Sequence, residues 1–294
     1  MLSHVAIVGV GLIGSSFALA ARRANPALCI VGLDKCATSL AQAQERGAID
    51  AVGTFEQAGS ADLILLAIPV RQMADALERL APYLADHTVI IDAGSTKQDV
   101  MAVARSALGA RAGQLVATHP IAGRERHGPM AADALLFQGR NVVLCASPAN
   151  LAAVTTVARE AWQLVGASVV EMSAAAHDSV FAAVSHLPHM LAFALVDELA
   201  SRPNAKLLFE HAASGFRDFT RIASSSPEMW RDIALNNREA LLAELDAYLG
   251  KAKQLRDLLA AADDAGLFAL MLRARDARER WLSGQLDQFN DDTK

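Results

Sequence analysis

The chain has 294 residues, 53% hydrophobic and 20% charged, enough for one large domain or two of ordinary size. Its 27 basic and 32 acidic residues leave a net charge of -5 with no run of five like charges, which argues against nucleic acid or an anionic membrane as partner. Three cysteines, Cys29, Cys36 and Cys145, are too few and too scattered for a disulfide framework or a zinc knuckle, and a reducing cytoplasm suits them.

In chain order, a short apolar strand, Val5 to Val8, runs into Gly9-x-Gly11-x-x-Gly14, and Leu12 to Arg23 continues with helical character. The uncharged stretch from Val5 to Ala21 mimics the core of a signal peptide, but no basic segment precedes it and three glycines break it. A second strand, Leu28 to Leu33, ends on Asp34, 20 positions after Gly14. This order is that of a dinucleotide site. Gly9 allows the tight turn, Gly11 lets the backbone approach a pyrophosphate, and Gly14 permits close helix-on-strand packing. The pyrophosphate sits at the helix N-terminus, where unpaired N–H groups favour negative charge. Asp34 accepts hydrogen bonds from the adenine ribose and repels a 2′-phosphate, so the expected cofactor is NAD rather than NADP.

Further strands are expected at Ala51 to Val52, Asp62 to Pro69, Thr88 to Asp92, Leu115 to Thr118, Asn141 to Cys145 and Ser168 to Glu171. Helices are expected at Thr38 to Arg46, Gln72 to Leu84, from Lys97 onward, and Asn150 to Val165. Strands alternating with helices predict an α/β, Rossmann-type doubly wound parallel sheet with its ligands outside the carboxyl ends of the strands. Leu12 and Ile13 inside the glycine turn, Ile68 and Pro69, and Ser95 complete the set expected to touch the cofactor.

From Ser173 onward the pattern is helical only, which places a domain boundary near residue 172: an NAD-binding domain over 1–172, an all-α domain over 173–283 and a disordered tail over 284–294. Ser173 to Ala200 reads as a long helix kinked at Pro188. Helices at Asn204 to Ser214, Pro227 to Leu249, Lys251 to Ala262 and Ala265 to Leu282 follow. Ser226 is the N-cap, Pro227 the first helical residue and Gly250 a stop. No other segment approaches the roughly 20 apolar residues of a membrane span. This half has more apolar faces than five helices can cover, which predicts a homodimer through it.

Four places carry groups able to do chemistry. His119 ends a strand, and a histidine titrating near neutrality is the usual general base for a hydroxyl proton, although a surface-loop histidine would look the same. Ser95, in Asp92-Ala-Gly-Ser-Thr-Lys97, either caps the next helix or hydrogen-bonds a reacting hydroxyl. His177, Phe181, Ser185 and His189 recur every four residues on one stripe. His186 and His189 lack the further ligands a metal site needs. Arg217 and Arg221 form a solvated salt-bridged face, or one of them grips a carboxylate bidentately.

Together Gly9-Val-Gly-Leu-Ile-Gly14, Asp92-Ala-Gly-Ser-Thr-Lys97, His119-Pro-Ile-Ala-Gly123-Arg-Glu125, Ser185-His-Leu-Pro-His189 and Gly215-Phe-Arg-Asp-Phe-Thr-Arg221 resemble the prephenate and arogenate dehydrogenases of tyrosine biosynthesis. The resemblance implies NAD-dependent oxidative decarboxylation of prephenate or arogenate, in a cleft between a Rossmann domain and a helical dimerisation domain. It implies that His119 deprotonates the ring hydroxyl with Ser95 assisting, that Arg221 binds a substrate carboxylate, and that His189 contacts the substrate side chain. Glu125, Trp230 and Arg217 would be secondary pocket residues. Neither the chorismate mutase domain nor the ACT domain of larger relatives is expected here. The rival readings are a 3-hydroxy acid dehydrogenase on the same architecture and a non-enzymatic NAD sensor.

Overall fold

In the computed structural model, which describes residues 2–123 and 126–285, strands and helices alternate through the first half. They are β1 (His4–Val8), α1 (Leu12–Ala24), β2 (Cys29–Leu33), α2 (Ala37–Glu45), β3 (Ala51–Val52), α3 (Phe55–Gly59), β4 (Leu63–Leu66), α4 (Met73–Leu80), β5 (Val89–Asp92), α5 (Gln98–Leu108), β6 (Leu115–Pro120), β7 (Asn141–Cys145), α6 (Ala152–Leu164) and β8 (Ser168–Glu171). They form one sheet in the order β3-β2-β1-β4-β5-β6-β7-β8. The order reverses between β1 and β4, which opens the crevice where such sheets bind ligands.

The strands read as apolar runs because both faces of the sheet are covered. Side chains alternate, so Val5 and Ile7 join Phe17 and Trp162 on one face, while Ala6 and Val8 join Met73, Leu77 and Leu80 on the other. One feature departs from the all-parallel expectation: β7 pairs antiparallel with β6, and β8 then runs parallel to β7. Among the described residues between β6 and β7 there is only a short 3-10 turn, Pro129–Ala131. A parallel neighbour needs a helical crossover, whereas a loop suffices for an antiparallel one.

The second half is helical: α7 (Ala174–Phe181), α8 (Leu187–Ala200), α9 (Ala205–Glu210), α10 (Ser214–Thr220), α11 (Pro227–Asn236), α12 (Arg238–Ala260) and α13 (Asp264–Leu282). Ser173 caps α7 and Ser226 caps α11. Three expectations need correction. The break between α7 and α8 is a π-helical turn, Ala182–His186, just before Pro188; the helix runs on through it, and the wider turn accommodates the proline ring and its missing N–H. The helix begun at Pro227 ends at Asn236, and Gly250 lies inside α12, because a single glycine costs only about 1 kcal/mol in a helix. The stretch Ala174–Ala200, at 27 residues and mean hydropathy 1.6, is long and apolar enough by length and composition to cross a membrane. It carries His177, Asp178 and His186, all buried and hydrogen-bonded to protein groups, while 22% of its apolar window is buried.

By compactness the chain divides into residues 1–241 and 242–294. The first unit holds the whole sheet and α7 to α11, and with them the groups of the candidate active site. Residues 286–294, most of the expected tail, lie outside the described residues.

Candidate active site

β1 is apolar and buried, so it must end in a turn that has no room for side chains. Gly9 has φ +95°, and a Cβ there would lie 2.4 Å from the Ala67 carbonyl oxygen. At Gly14 a Cβ would lie 2.1 Å from the Gly9 carbonyl oxygen, so this glycine lets α1 rest on the turn. Around Gly11 no atom lies within 4 Å of where its Cβ would be. Gly11 is the N-cap of α1 and has no side-chain cap. The result is open backbone at a helix N-terminus, the environment a pyrophosphate needs.

A cavity of about 860 Å³ extends from this turn, lined in part by Gly9, Gly11, Asp34, Ile68, Pro69 and Arg79. The Asp34 carboxylate accepts from Val10 N at 3.0 Å and Cys36 N at 2.8 Å, which fixes it at the end of β2. The Arg79 guanidinium stands 4.1 Å above the Phe55 ring at the outer wall. These groups fit the expected dinucleotide. A smaller cavity of about 340 Å³ includes Ile13, Ile68, Pro69, Ser95, Met229 and Asp232. Asp232 is buried and held by Arg231 at 2.7 Å and Arg71 at 3.6 Å. Leu12 is half-buried and packs against the core.

Ser95 does not cap α5. The N-cap is Lys97, without a side-chain cap of its own. The free N–H groups are taken from across the fold by Asp178 at the start of α7: Oδ1 accepts from Lys97 N at 2.8 Å and Oδ2 from Gln98 N at 2.9 Å. The Lys97 side chain turns inward, fully buried, to pair with Asp92 and donate to the Thr118 carbonyl at 2.7 Å. Asp92 also accepts from Gly94 N and Thr118 N, each at 2.8 Å. A buried ion pair needs further hydrogen bonds, and here the Thr118 carbonyl and the Gly94 and Thr118 N–H groups supply them.

His119, near the end of β6, is half-buried beside this pair. Its Nδ1 lies 2.8 Å from His177 Nε2, and His177 Nδ1 lies 2.9 Å from Asp178 Oδ1. The Phe181 ring packs 4.9 Å from His119 and 4.5 Å from His177. Burial, reinforced by Lys97, His177 and His186, holds His119 well below the usual histidine range. Burial and Lys97 likewise lower His177 against the opposing pull of Asp178. For Asp178 burial works upward, but the His177 hydrogen bond and the two backbone N–H donors outweigh it and hold the carboxyl low.

On α8, His189 donates from Nδ1 to the Ser185 carbonyl at 2.9 Å and stacks on the buried Trp230 at 3.6 Å. Burial and the Arg221 charge lower His189, opposed by the Ser185 hydrogen bond. The Trp230 Nε1 donor is buried without a hydrogen-bond partner. His186, pushed down to about 4 by burial and His177, meets the Asn237 amide at 3.1 Å. Arg217 and Arg221 are exposed on α10 and the 3-10 turn that follows it. Glu125 lies outside the described residues. Among the described residues no three His, Cys, Asp or Glu side chains group as a metal site.

The sequence pattern picks out His177 but does not join it to His119 or to Asp178, and it gives no role to the buried Lys97–Asp92 pair, Asn237 or Asp232. The one available signal was a lysine directly after an apolar strand and a glycine turn, where no solvated face is expected.

Two family models match the chain: the prephenate dehydrogenase nucleotide-binding domain over residues 17–171 and the prephenate dehydrogenase dimerization domain over 173–273. A cyclohexadienyl dehydrogenase of Zymomonas mobilis is 34% identical over 95% of this chain and 96% of its own length. A prephenate dehydrogenase of Bacillus subtilis is 35% identical over 95% of this chain and 76% of its own. Among solved structures, prephenate dehydrogenase from A. aeolicus in complex with hydroxyphenyl propionate and NAD+ superposes with a TM-score of 0.89 at 33% identity, covering 95% of this chain and 98% of that one. Synechocystis arogenate dehydrogenase gives 0.80 at 27% identity, covering 95% and 99%.

Proposed function

The chain belongs to the prephenate dehydrogenase family, and from that premise we propose that it is an oxidoreductase of tyrosine biosynthesis. It carries out the NAD-dependent oxidative decarboxylation of prephenate to 4-hydroxyphenylpyruvate, of arogenate to tyrosine, or of both. The observation that carries this reading is His119, a histidine at the carboxyl end of β6 that burial and Lys97 keep neutral. NAD, when bound, supplies the hydride acceptor. His119 takes the proton of the ring hydroxyl as hydride departs, and returns it to the same oxygen once loss of CO2 has made the ring aromatic. Proton balance closes within the site; burial and Lys97 keep the free His119 neutral and so able to take the proton, although they place it below the near-neutral range expected from sequence and weaken it as a base.

Ser95, on the turn after β5, assists at the hydroxyl. Arg221 binds a substrate carboxylate, and His189, backed by Trp230, contacts the side chain. Arg217 and Glu125 complete the pocket. Gly9, Gly11, Leu12, Ile13, Gly14, Asp34, Ile68 and Pro69 hold the cofactor. The Rossmann domain runs to residue 172 and the helical domain from 173 to 283, where Ser173 caps the first helix after the last strand. The protein works as a homodimer through the helical domain, and its three free cysteines suit the cytoplasm.

NADH formation with prephenate and with arogenate tests the reading, and no turnover with either overturns it. His119→Asn is expected to lower kcat by about 10²- to 10⁴-fold with NAD affinity unchanged. A variant that kept a tenth of the wild-type kcat would remove His119 as the base.

A further inference from the structure

Asp178 is a carboxylate and can only accept hydrogen bonds, and its oxygens face three N–H groups: Lys97 N, Gln98 N and His177 Nδ1. The 2.9 Å contact to His177 therefore has one polarity, with the proton on His177 Nδ1. A neutral His177 with its proton on Nδ1 has a lone pair on Nε2. The 2.8 Å contact from His177 Nε2 to His119 Nδ1 must then be donated by His119. That leaves Nε2, at the opposite side of the His119 ring, unprotonated.

We infer that His177 and Asp178 are positioning residues that fix His119 in the one tautomer able to act as a base at Nε2. The assignment rests on the reading of His119 as the proton acceptor. Three features make the arrangement a built one. His177 and Asp178 are 0% and 2% exposed, so water cannot substitute for either partner. The carboxylate is locked by the first N–H groups of α5 and cannot rotate away from His177. Asn237 donates to the Asp178 carbonyl at 2.7 Å, which ties the α7 backbone in place.

The chain also has a use during the reaction. When His119 accepts a proton at Nε2 it becomes an imidazolium whose Nδ1–H still points at a bare nitrogen. The positive charge is then compensated through His177 by the Asp178 carboxylate. Lys97 acts in the opposite direction and favours return of the proton. The groups facing His119 are thus Lys97, His177 and His186, with Asp92 and Asp178 behind them.

The direct test is the ring protonation pattern. In long-range proton–nitrogen spectra of histidine-labelled protein at neutral pH, with His119 assigned by its loss in His119→Asn, the wild type should show His119 protonated at Nδ1 and bare at Nε2. Asp178→Asn should abolish that preference, because an amide cannot accept all three N–H groups. The kinetic test compares two replacements of His177. His177→Leu removes the acceptor for the His119 N–H, whereas His177→Gln restores a carbonyl oxygen. About a 10²-fold loss of kcat is expected in the first and at least about tenfold recovery in the second, with NAD affinity by calorimetry equal to wild type in both. An active wild type with the His119 proton on Nε2, or equal losses in the two variants, overturns the assignment and leaves the proposed reaction standing. A wild type inactive on both substrates overturns the reaction, while the spectra still decide the tautomer.

Discussion

In the proposed site Asp34 would work through what it excludes as well as what it holds. Its two oxygens are engaged by Val10 N and Cys36 N, so the carboxylate is fixed beside the glycine turn before any ligand arrives. A 2′-phosphate placed there would meet a fixed like charge, while ribose hydroxyls would meet acceptors. Asp34→Ala is expected to raise the NAD dissociation constant about tenfold or more, the value of a hydrogen bond to a charged group, and to narrow the gap between NAD and NADP. Unchanged NAD affinity in titration would remove Asp34 from the ribose site. The place of this residue at the end of β2 was legible in the sequence because it follows from local spacing after Gly14. The partner of His119 was not, because 58 residues separate it from His177 and the packing of α7 against β7 and α5 joins them.

At the scale of elements, the β1–turn–α1 unit gives Gly11 and Gly14 different surroundings. Gly14→Ala would drive a methyl group into the Gly9 carbonyl, so α1 must lift from the turn; overpacking of this kind costs about 1–3 kcal/mol. Gly11→Ala meets no protein atom and should leave the urea midpoint unchanged while weakening NAD binding, since the added methyl occupies open space at the helix N-terminus. A Gly11→Ala protein as destabilised as Gly14→Ala would contradict this division. Most element positions were readable because apolar strands and capped helices are local signals. Three features lay beyond that reach. The reversal of β7 depends on the lack of a crossover helix, the π turn adjusts the register of a helix already committed by its neighbours, and α12 continues through Gly250 because one glycine is a small penalty.

For the whole molecule, the exposed apolar side chains call for a covering surface. Val184, Phe268 and Trp281 are each more than 60% exposed, and the helical half matches a dimerization-domain model. Light scattering at micromolar concentration should give twice 31.1 kDa; the monomer mass would overturn the dimer. Stability should also fall on mild acidification. Burial lowers His119, His177, His186 and His189 in the folded protein, His186 to about 4. Between pH 6.5 and 4 the unfolded chain takes up protons that the folded chain refuses, so stability present above pH 6.5 is lost as the pH falls. For His186 the loss approaches about 1.4 kcal/mol per pH unit between those limits. Asp99, raised by burial, acts in the opposite sense. Urea midpoints that did not fall from about pH 7 to about pH 5 would contradict the lowered histidines. The Asp178 carboxylate also bears on how this gene can be recombined. The two family models meet near residue 172, which invites a cut there, yet the first helix beyond the cut supplies the cap of α5 and the partner of His119. A fusion that grafts the first half onto a foreign helical half would leave the N-terminus of α5 bare and His119 free to take either tautomer. Chimeras of this chain should therefore keep the segment from Ser173 to His189 with the sheet it serves.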